Sequence, residues 1–413
     1  MRGMVRGLAA ALVALAVAGP AAAAPLKLEA VVVLMRHGVR PPTKAQPMPV
    51  GVASDPWPAW PVPAGWLTPH GAQALTLLGR YDRAAYAERG LLAAGGCPAP
   101  GAVSVWADMD ERTIKSAEAW VEGFAPGCRV QTGHTPGEGD PLFSPLETEG
   151  AKFDGAKAEA AVMERLGSGG LAAAVAAQRT RLDRLNAVLG CCHAPVCPPE
   201  AKTCGLPDLL SAVLPTKKGR PKLTGPLDLG ATASEILMLE YTEGKPMAEV
   251  GWGRVSRAEI EDLLALHPAQ YQVLIRPPYI GRANAEPLAR RMLAALSAPK
   301  AGRAAFTLLL GHDTNIASLG SMLDLHWQVD SFPADDPPPG GALGFERLSD
   351  ETGHVFVRAF YEGQTMDQIR NLEPLGQAHP PSRQYLTIPG CPPVREGACA
   401  LDRLAALVEG GKP

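Results

Sequence analysis

The chain has 413 residues, of which 46% are hydrophobic and 20% charged, with 44 glycines and 41 prolines. Those proportions exclude a disordered or collagen-like polymer and describe a globular protein long enough for one large domain or two interlocked ones. A formal charge of −3, from 39 basic and 42 acidic residues, lacks the basic excess of a nucleic-acid binder, and no apolar run beyond the N-terminus is long enough to span a bilayer.

At the N-terminus, Arg2 and Arg6 precede an uncharged apolar run and a small-residue tail, which predicts a secretory signal peptide over residues 1–23. An uncleaved anchor is the alternative, and the Ala-rich tail favours cleavage over it. Pro25 is a poor residue directly after a cut, which places the cut after Ala23. Loss of that segment leaves 390 residues and moves the formal charge from −3 to −5, and membrane insertion ends with cleavage.

Leu28 to Met35 is a continuous apolar, β-branched run, predicted to be a strand buried on both faces in a parallel sheet. It runs straight into Arg36-His37-Gly38-Val39-Arg40-Pro41-Pro42-Thr43-Lys44. In an open α/β sheet, ligands bind beyond the carboxyl ends of strands. Two guanidiniums and an ammonium within nine residues call for an anion, and the planar fork of arginine suits phosphate. Pro41 and Pro42 keep Arg40 extended, and Gly38 permits close backbone approach beside the imidazole.

Ala102 to Ala107 predicts a second strand, followed by Asp110-Glu111-Arg112-Thr113 at a helix start. Ile114, Ala117, Val121 and Phe124 recur at helical spacing until Pro126-Gly127 ends the run. Arg112 can complete an arginine cage; the alternative is a surface arginine paired to Glu111 or Asp108. The stretch 141–250 is rich in Ala and Leu with few strand signals, and predicts a smaller, mostly helical insertion between α/β segments at 24–140 and 251–413.

Ala305 to Leu310 predicts a third strand, which runs into Gly311-His312-Asp313-Thr314-Asn315 and a helix carrying Ile316, Leu319 and Leu323. A helix N-terminus after a strand offers free N–H groups to an anion. There His312 can donate to a phosphate oxygen and Asp313 can give a proton to a leaving oxygen. The alternating run His354 to Tyr361 predicts a fourth strand near a sheet edge.

In an exported chain, eight cysteines predict up to four disulfides. Cys391 and Cys399 are expected to pair locally, and Cys97 with Cys128. The cluster Cys191, Cys192, Cys197 and Cys204, with His193, superficially imitates a zinc site, but its spacing matches no common zinc module, so disulfides are favoured and no metal is expected.

Together, RHGVRPPTK and GHDTN resemble the histidine acid phosphatases, the second branch of the histidine phosphatase superfamily. ERTIKSAEAW, SEILMLEY, GWGRV, GHDTNIASLG and PPPGGALGFERL look like successive landmarks of the periplasmic phytases and glucose-1-phosphatases of enterobacteria, in the same order. The resemblance implies an α/β fold: a phosphoglycerate-mutase-like open sheet flanked by helices, with a smaller helical insertion. It implies His37 as nucleophile, Asp313 as proton donor, and Arg36, Arg40, Arg112 and His312 as phosphate ligands. Thr43, Lys44, Glu235 and Thr314 would line the substrate cleft, although Glu235 on an Ala/Leu-rich helix could equally face solvent. No cofactor is implied, since an imidazole can attack phosphorus without a metal. The implied setting is the periplasm or the extracellular medium, and the implied mechanism favours acidic pH.

The implied substrates are small: inositol, sugar or aryl phosphates. A phytase needs further cations for the non-reacting phosphates: Lys44 is one candidate, and Lys245 and the run Lys217-Lys218-Gly219-Arg220 are others if folding brings them near, although the run reads more readily as a solvated loop. Thr314 resembles the phytase form of the HD motif. The reading favours a phytase or broad acid phosphatase over a glucose-1-phosphatase-like sugar phosphatase. A cytosolic phosphomutase is disfavoured by the signal peptide and by Asp313. A non-catalytic phosphoester-binding protein is disfavoured by the presence of both His37 and Asp313.

Overall fold

The computed structural model describes residues 24–137, 139–148, 153–197, 204–215 and 220–410. The expected signal peptide, and Lys217, Lys218 and Gly219, lie outside the described residues. The strands are β1 (Lys27–Arg36), β2 (Val103–Ala107), β3 (Thr132–Gly133), β4 (Ala212–Leu214), β5 (Lys222–Thr224), β6 (Phe306–Gly311), β7 (Ala342–Ser349), β8 (Val355–Gly363), β9 (Ser382–Leu386) and β10 (Cys399–Ala400). Helices α1 (Pro69–Glu88), α2 (Glu111–Phe124), α3 (Gly155–Leu166), α4 (Gly170–Ala177), α5 (Arg179–Leu189) and α6 (Pro226–Thr242) precede α7 (Arg257–Leu263), α8 (Leu266–Leu274), α9 (Pro278–Ser297), α10 (Asp313–Met322), α11 (Met366–Arg370) and α12 (Leu401–Glu409).

Among the described residues, one sheet takes the order β10-β8-β7-β1-β6-β2-β3, with β9 also on β8, and β4 and β5 form a separate hairpin. The apolar run of β1 is continuous because both faces are covered. Val31, Val33 and Met35 pack with Leu75, Trp120, Phe124 and Phe306 on one side. Val32 and Leu34 pack with Leu288, Ile316, Leu319 and Leu343 on the other. Each such side chain, fully buried, contributes about 1.5–3 kcal/mol. Under one face, α1 and α2 touch backbone to backbone: a Cβ at Gly79 would fall 2.1 Å from Trp120 O, and one at Gly123 would fall 2.0 Å from Thr76 O.

One expectation about the sheet changes. β1 is parallel to β6 but antiparallel to β7, so the sheet is mixed rather than parallel throughout. β8 lies near an edge, as expected: β7 lies on one side, and only the short strands β9 and β10 lie on the other. Its alternation reflects Arg358, which turns to Glu346 on β7 at 2.8 Å. Between β3 and β6, all elements are helical apart from the β4–β5 hairpin and short 3-10 turns.

The cysteines form Cys97–Cys128, Cys191–Cys192, Cys197–Cys204 and Cys391–Cys399. The first and last are the expected pairs, and the ambiguous cluster resolves into two disulfides. Closing the 31-residue separation of the first is worth on the order of 3–4 kcal/mol. No helix among the described residues is long and apolar enough to cross a membrane.

Candidate active site

Strand register explains how motifs 275 residues apart meet. Arg36 at the end of β1 pairs with Gly311 at the end of β6, and Ala107 at the end of β2 pairs with Leu310. Beyond these three neighbouring parallel strand ends the chain continues as His37, as His312-Asp313 and as Asp108 to Arg112. His37 N donates to Gly311 O at 3.0 Å, and Asp108 N to Leu310 O at 2.9 Å, so the ladder extends into the site. From the antiparallel side, Arg36 N donates to Gly341 O at 2.9 Å.

Arg36 is fully buried. It donates to Pro337 O at 2.7 Å, contacts Glu235, and stands 2.9 Å from Asp313 Oδ2. Arg40 reaches Glu235 at 3.2 Å. Glu235 on α6 therefore faces the guanidiniums rather than open solvent. Burial alone would raise its carboxyl, but Arg40, Arg36 and His267 outweigh burial and hold it below the usual range. Gly38 is needed where it stands: a Cβ there would come within 2.9 Å of Leu67 and Leu75 side-chain carbons.

His37 is 1% exposed, and its Nδ1 lies 2.8 Å from Gly38 O. A carbonyl only accepts, so Nδ1 carries the proton and Nε2 keeps its lone pair. Burial, then Arg40, Arg112, Arg36 and His312, push the imidazole well below its ordinary pKa of 6.5. The ring therefore remains neutral in mild acid. The His312 ring stands edge-on to it, with centroids 5.6 Å apart.

His312 stands between the end of β6 and the start of α10, with its N–H on Asn315 Oδ1 at 2.9 Å. Its Nε2 lies 2.6 Å from Asp108 Oδ2, and its Nδ1 is 3.4 Å from Arg112. Arg112 pairs with Asp110 at 2.6 Å, not with Glu111 or Asp108. Glu111 instead accepts from Leu67 N at 2.9 Å. In Asp313, burial favours the neutral acid, but Arg36, His267, His37 and Arg40 prevail and hold it far below the usual carboxylate range. Asp313 Oδ1 accepts from Thr314 N at 2.6 Å, which is the link of Thr314 to the site.

Thr43 and Lys44 lie on the exposed continuation of the first motif. A Cβ at Gly65 would lie 3.6 Å from Thr43 Cα and 3.8 Å from Arg112, which puts Thr43 beside the cage. Lys245 is not a cleft cation. It is 8% exposed, donates to Ala59 O and lies 4.6 Å over the Trp60 ring, strapping the loop that follows the first motif.

Sequence reasoning missed His267, Tyr271 and Asp336, and treated Asp108 only as a partner for Arg112. Asp108 had a signal in its place just before the DERT segment; the other three sit in no motif. Two groups, Glu235–His267–Asp313 and Asp108–Asp110–His312, bring donor atoms within 4.8 Å of one another. Each already has a guanidinium within 3 Å, so a metal ion would compete with a resident cation. The sulfurs of Cys192, Cys197 and Cys204 are engaged in disulfides and are not thiolates.

The family model described as histidine phosphatase superfamily (branch 2) matches residues 27–168 and 271–362. The chain is 38% identical over 402 residues to phytase AppA of Escherichia coli, covering 93% of this chain and 91% of the relative. It is 32% identical to the glucose-1-phosphatase of Salmonella typhimurium, covering 91% of each. The structure of Hafnia alvei phytase in complex with myo-inositol hexakis sulphate matches with a TM-score of 0.85 at 33% identity, covering 94% of this chain and 99% of that one.

Proposed function

The chain belongs to branch 2 of the histidine phosphatase superfamily, a phytase-like phosphomonoesterase with an α/β fold, and from that premise we propose how its site works. His37 Nε2 attacks phosphorus, the ester oxygen leaves as an alcohol, and water then hydrolyses the phosphohistidine. The observation that carries this reading is the orientation of His37: Nδ1 is fixed on Gly38 O, and the free Nε2 belongs to a ring surrounded by three guanidiniums.

Arg36, Arg40 and Arg112 hold the phosphoryl oxygens and stabilise their charge in transfer; in such sites one donor is worth about 10²–10³ in rate. The phosphate takes Arg112 over from Asp110. His312, steered by Asp108, turns its remaining ring edge to the same oxygens. Asp313 protonates the leaving oxygen and then takes a proton from water. It is ionised in the free site because cations surround it; a phosphate dianion neutralises that excess and lets Asp313 take up the proton it must deliver. His37 stays neutral in mild acid, so acidic pH serves both groups. The reading requires no cofactor, because imidazole supplies the nucleophile and guanidinium the positive charge.

For substrate, we favour an inositol phosphate, with sugar and aryl phosphates also accepted. Thr43 beside the cage and Lys44, the next residue along the exposed continuation, are the residues we assign to a non-reacting phosphate. A glucose-1-phosphatase-like preference is the second reading, supported by the Salmonella relative. The gathering of His37 and Asp313 around Arg36 disfavours a non-catalytic phosphoester-binding protein. Four disulfides and the N-terminal sequence support a periplasmic or secreted location, without nucleic-acid partners. We assign residues 141–250 to a mostly helical insert between catalytic segments 24–140 and 251–413.

The test is a rapid-quench experiment with phosphate-labelled p-nitrophenyl phosphate, in buffer with a chelator. Label that stays on protein in alkali and leaves in acid is expected, absent in His37→Ala. Turnover without such an intermediate, or loss of turnover to the chelator, overturns the mechanism. Initial rates on phytate, glucose 1-phosphate and p-nitrophenyl phosphate then rank the substrates.

A further inference from the structure

Behind Asp313 lies a second buried pair. His267 on α8 is 4% exposed and Asp336, in the segment before β7, is 0% exposed. Their Nδ1 and Oδ1 atoms are 2.6 Å apart. Glu235 from α6 and Asp313 from α10 stand near the same imidazole, with a carboxylate oxygen of each within 4.8 Å of the other and of a His267 ring nitrogen. Tyr271, four residues along α8, is tilted against the imidazole with ring centroids 4.4 Å apart, and burial, then Asp313 and Glu235, push its hydroxyl well above its ordinary pKa. Among the described residues, Asp336 Oδ2 is buried without a hydrogen-bond partner, so Asp336 has His267 as its close counter-group.

One imidazole thus stands among three carboxyl groups. A neutral ring carries one N–H. If that proton sits on Nδ1 it faces Asp336 and Nε2 keeps a lone pair among nearby carboxylates; if it sits on Nε2, a lone pair meets Asp336 at 2.6 Å. Only the imidazolium donates to Asp336 and keeps a second N–H. Burial opposes that charge, but Asp336, Glu235 and Asp313 outweigh burial and raise the ring above its ordinary pKa of 6.5.

We propose that His267, held by Asp336, is a positioning residue for Asp313: it fixes the acid in the free site and stores the proton that the leaving alcohol receives. The inference rests on the reading of Asp313 as proton donor. When an ester dianion occupies the guanidiniums, the proton passes from His267 to Asp313. It then passes to the bridging oxygen as the P–O bond breaks and the bond from His37 Nε2 to phosphorus forms. In the second step, Asp313 takes a proton from water as the new O–P bond forms and the N–P bond breaks, and His267 is recharged. The sum is one ester and one water converted to alcohol and phosphate, with no other reactant.

The experiment compares wild type, His267→Gln and Asp336→Asn on two esters. p-Nitrophenolate leaves without a proton, whereas the alkoxide of β-glycerophosphate needs one. The full mature chain is used, and kcat/KM is followed from about pH 3 to 8. For both variants, kcat/KM on β-glycerophosphate is expected to fall about tenfold or more, against less than about threefold on p-nitrophenyl phosphate. The alkaline limb on β-glycerophosphate should move about one pH unit towards acid. Asp336→Asn is isosteric and keeps an acceptor for Nδ1–H, so it serves even where His267→Gln does not fold. Equal losses on both esters, or an unmoved alkaline limb, overturn the proposal. Failure of the underlying mechanism reads differently: wild type would then form no phosphoenzyme.

Discussion

Arg36 Nη2 stands 2.9 Å from Asp313 Oδ2, so in the proposed mechanism one fully buried guanidinium positions both the phosphate seat and the acid. The same group contacts Glu235 and donates to Pro337 O, which ties β1, α6, α10 and the segment before β7 at a single point. Arg36→Ala leaves two carboxylates facing each other in a buried site. It is expected to destabilise the fold by about 3–5 kcal/mol in urea unfolding, and to cut kcat/KM at least about 10²-fold. Adding Glu235→Gln should recover part of the stability and none of the activity. Recovery of both together would show that Arg36 acts only through folding.

In the proposed mechanism, the cations around His37 set the acid limb of the rate profile. They favour the neutral imidazole, so removing one moves its pKa up towards 6.5. Arg40→Gln should therefore shift the acid limb of kcat/KM to higher pH. Arg112→Gln should shift it in the same direction. An acid limb that ignores both substitutions would mean that another group controls it.

Asp108 is 4% exposed and holds His312 Nε2 at 2.6 Å. Its backbone carbonyl accepts from Thr113 Oγ1 at 2.7 Å, so the backbone is anchored independently of the side chain. Asp108→Asn keeps a hydrogen-bonding group of the same shape and removes a negative charge beside the phosphate seat. The expected result is a split: kcat falls about tenfold because an amide holds His312 less strongly than a carboxylate, while inhibition by inorganic phosphate is not weakened, since a negative charge beside the seat is gone. Parallel loss of both would assign Asp108 to phosphate binding itself.

The parts legible in the sequence are those where chemistry and periodicity sit together on the chain. β1 showed itself through an apolar run with both faces covered, and the ends of β1 and β6 carried His37 and Asp313 directly after it. β7 was not legible because ALGFERLS places Glu346 and Arg347 inside a buried strand. Glu346 is 0% exposed and is neutralised by Arg358 across the β7–β8 pair and by Arg89 and Arg383 from farther along the chain, so nothing in its local pattern marks a buried strand. His267 and Asp336 are 69 residues apart, and only the fold makes them partners. Lys245 misled for a related reason: a cation near a phosphate site suggests a ligand, but Ala59 O and Trp60 claim it.

Glu240 carries a prediction about stability that is independent of catalysis. It lies on α6, 0% exposed, with Oε2 accepting from Gly251 N at 3.0 Å and Oε1 buried without a partner among the described residues. Burial pushes its carboxyl up to about 7 from 4.5, against the smaller pull of the Gly251 N–H and Lys245. The folded state thus prefers the protonated acid more than the unfolded state does. That preference stabilises the fold fully below about pH 4.5 and is lost as pH rises through about 7. A shift of that size corresponds to roughly 3 kcal/mol. Glu240→Gln keeps the shape and cannot ionise, so its stability relative to wild type should rise between pH 5 and 8 by a value of that order. Urea unfolding of both proteins at several pH values measures the difference, in which groups common to both cancel. A difference that stays flat across that range would mean that Glu240 is already ionised in the fold at pH 5, with Lys245 as its counter-charge.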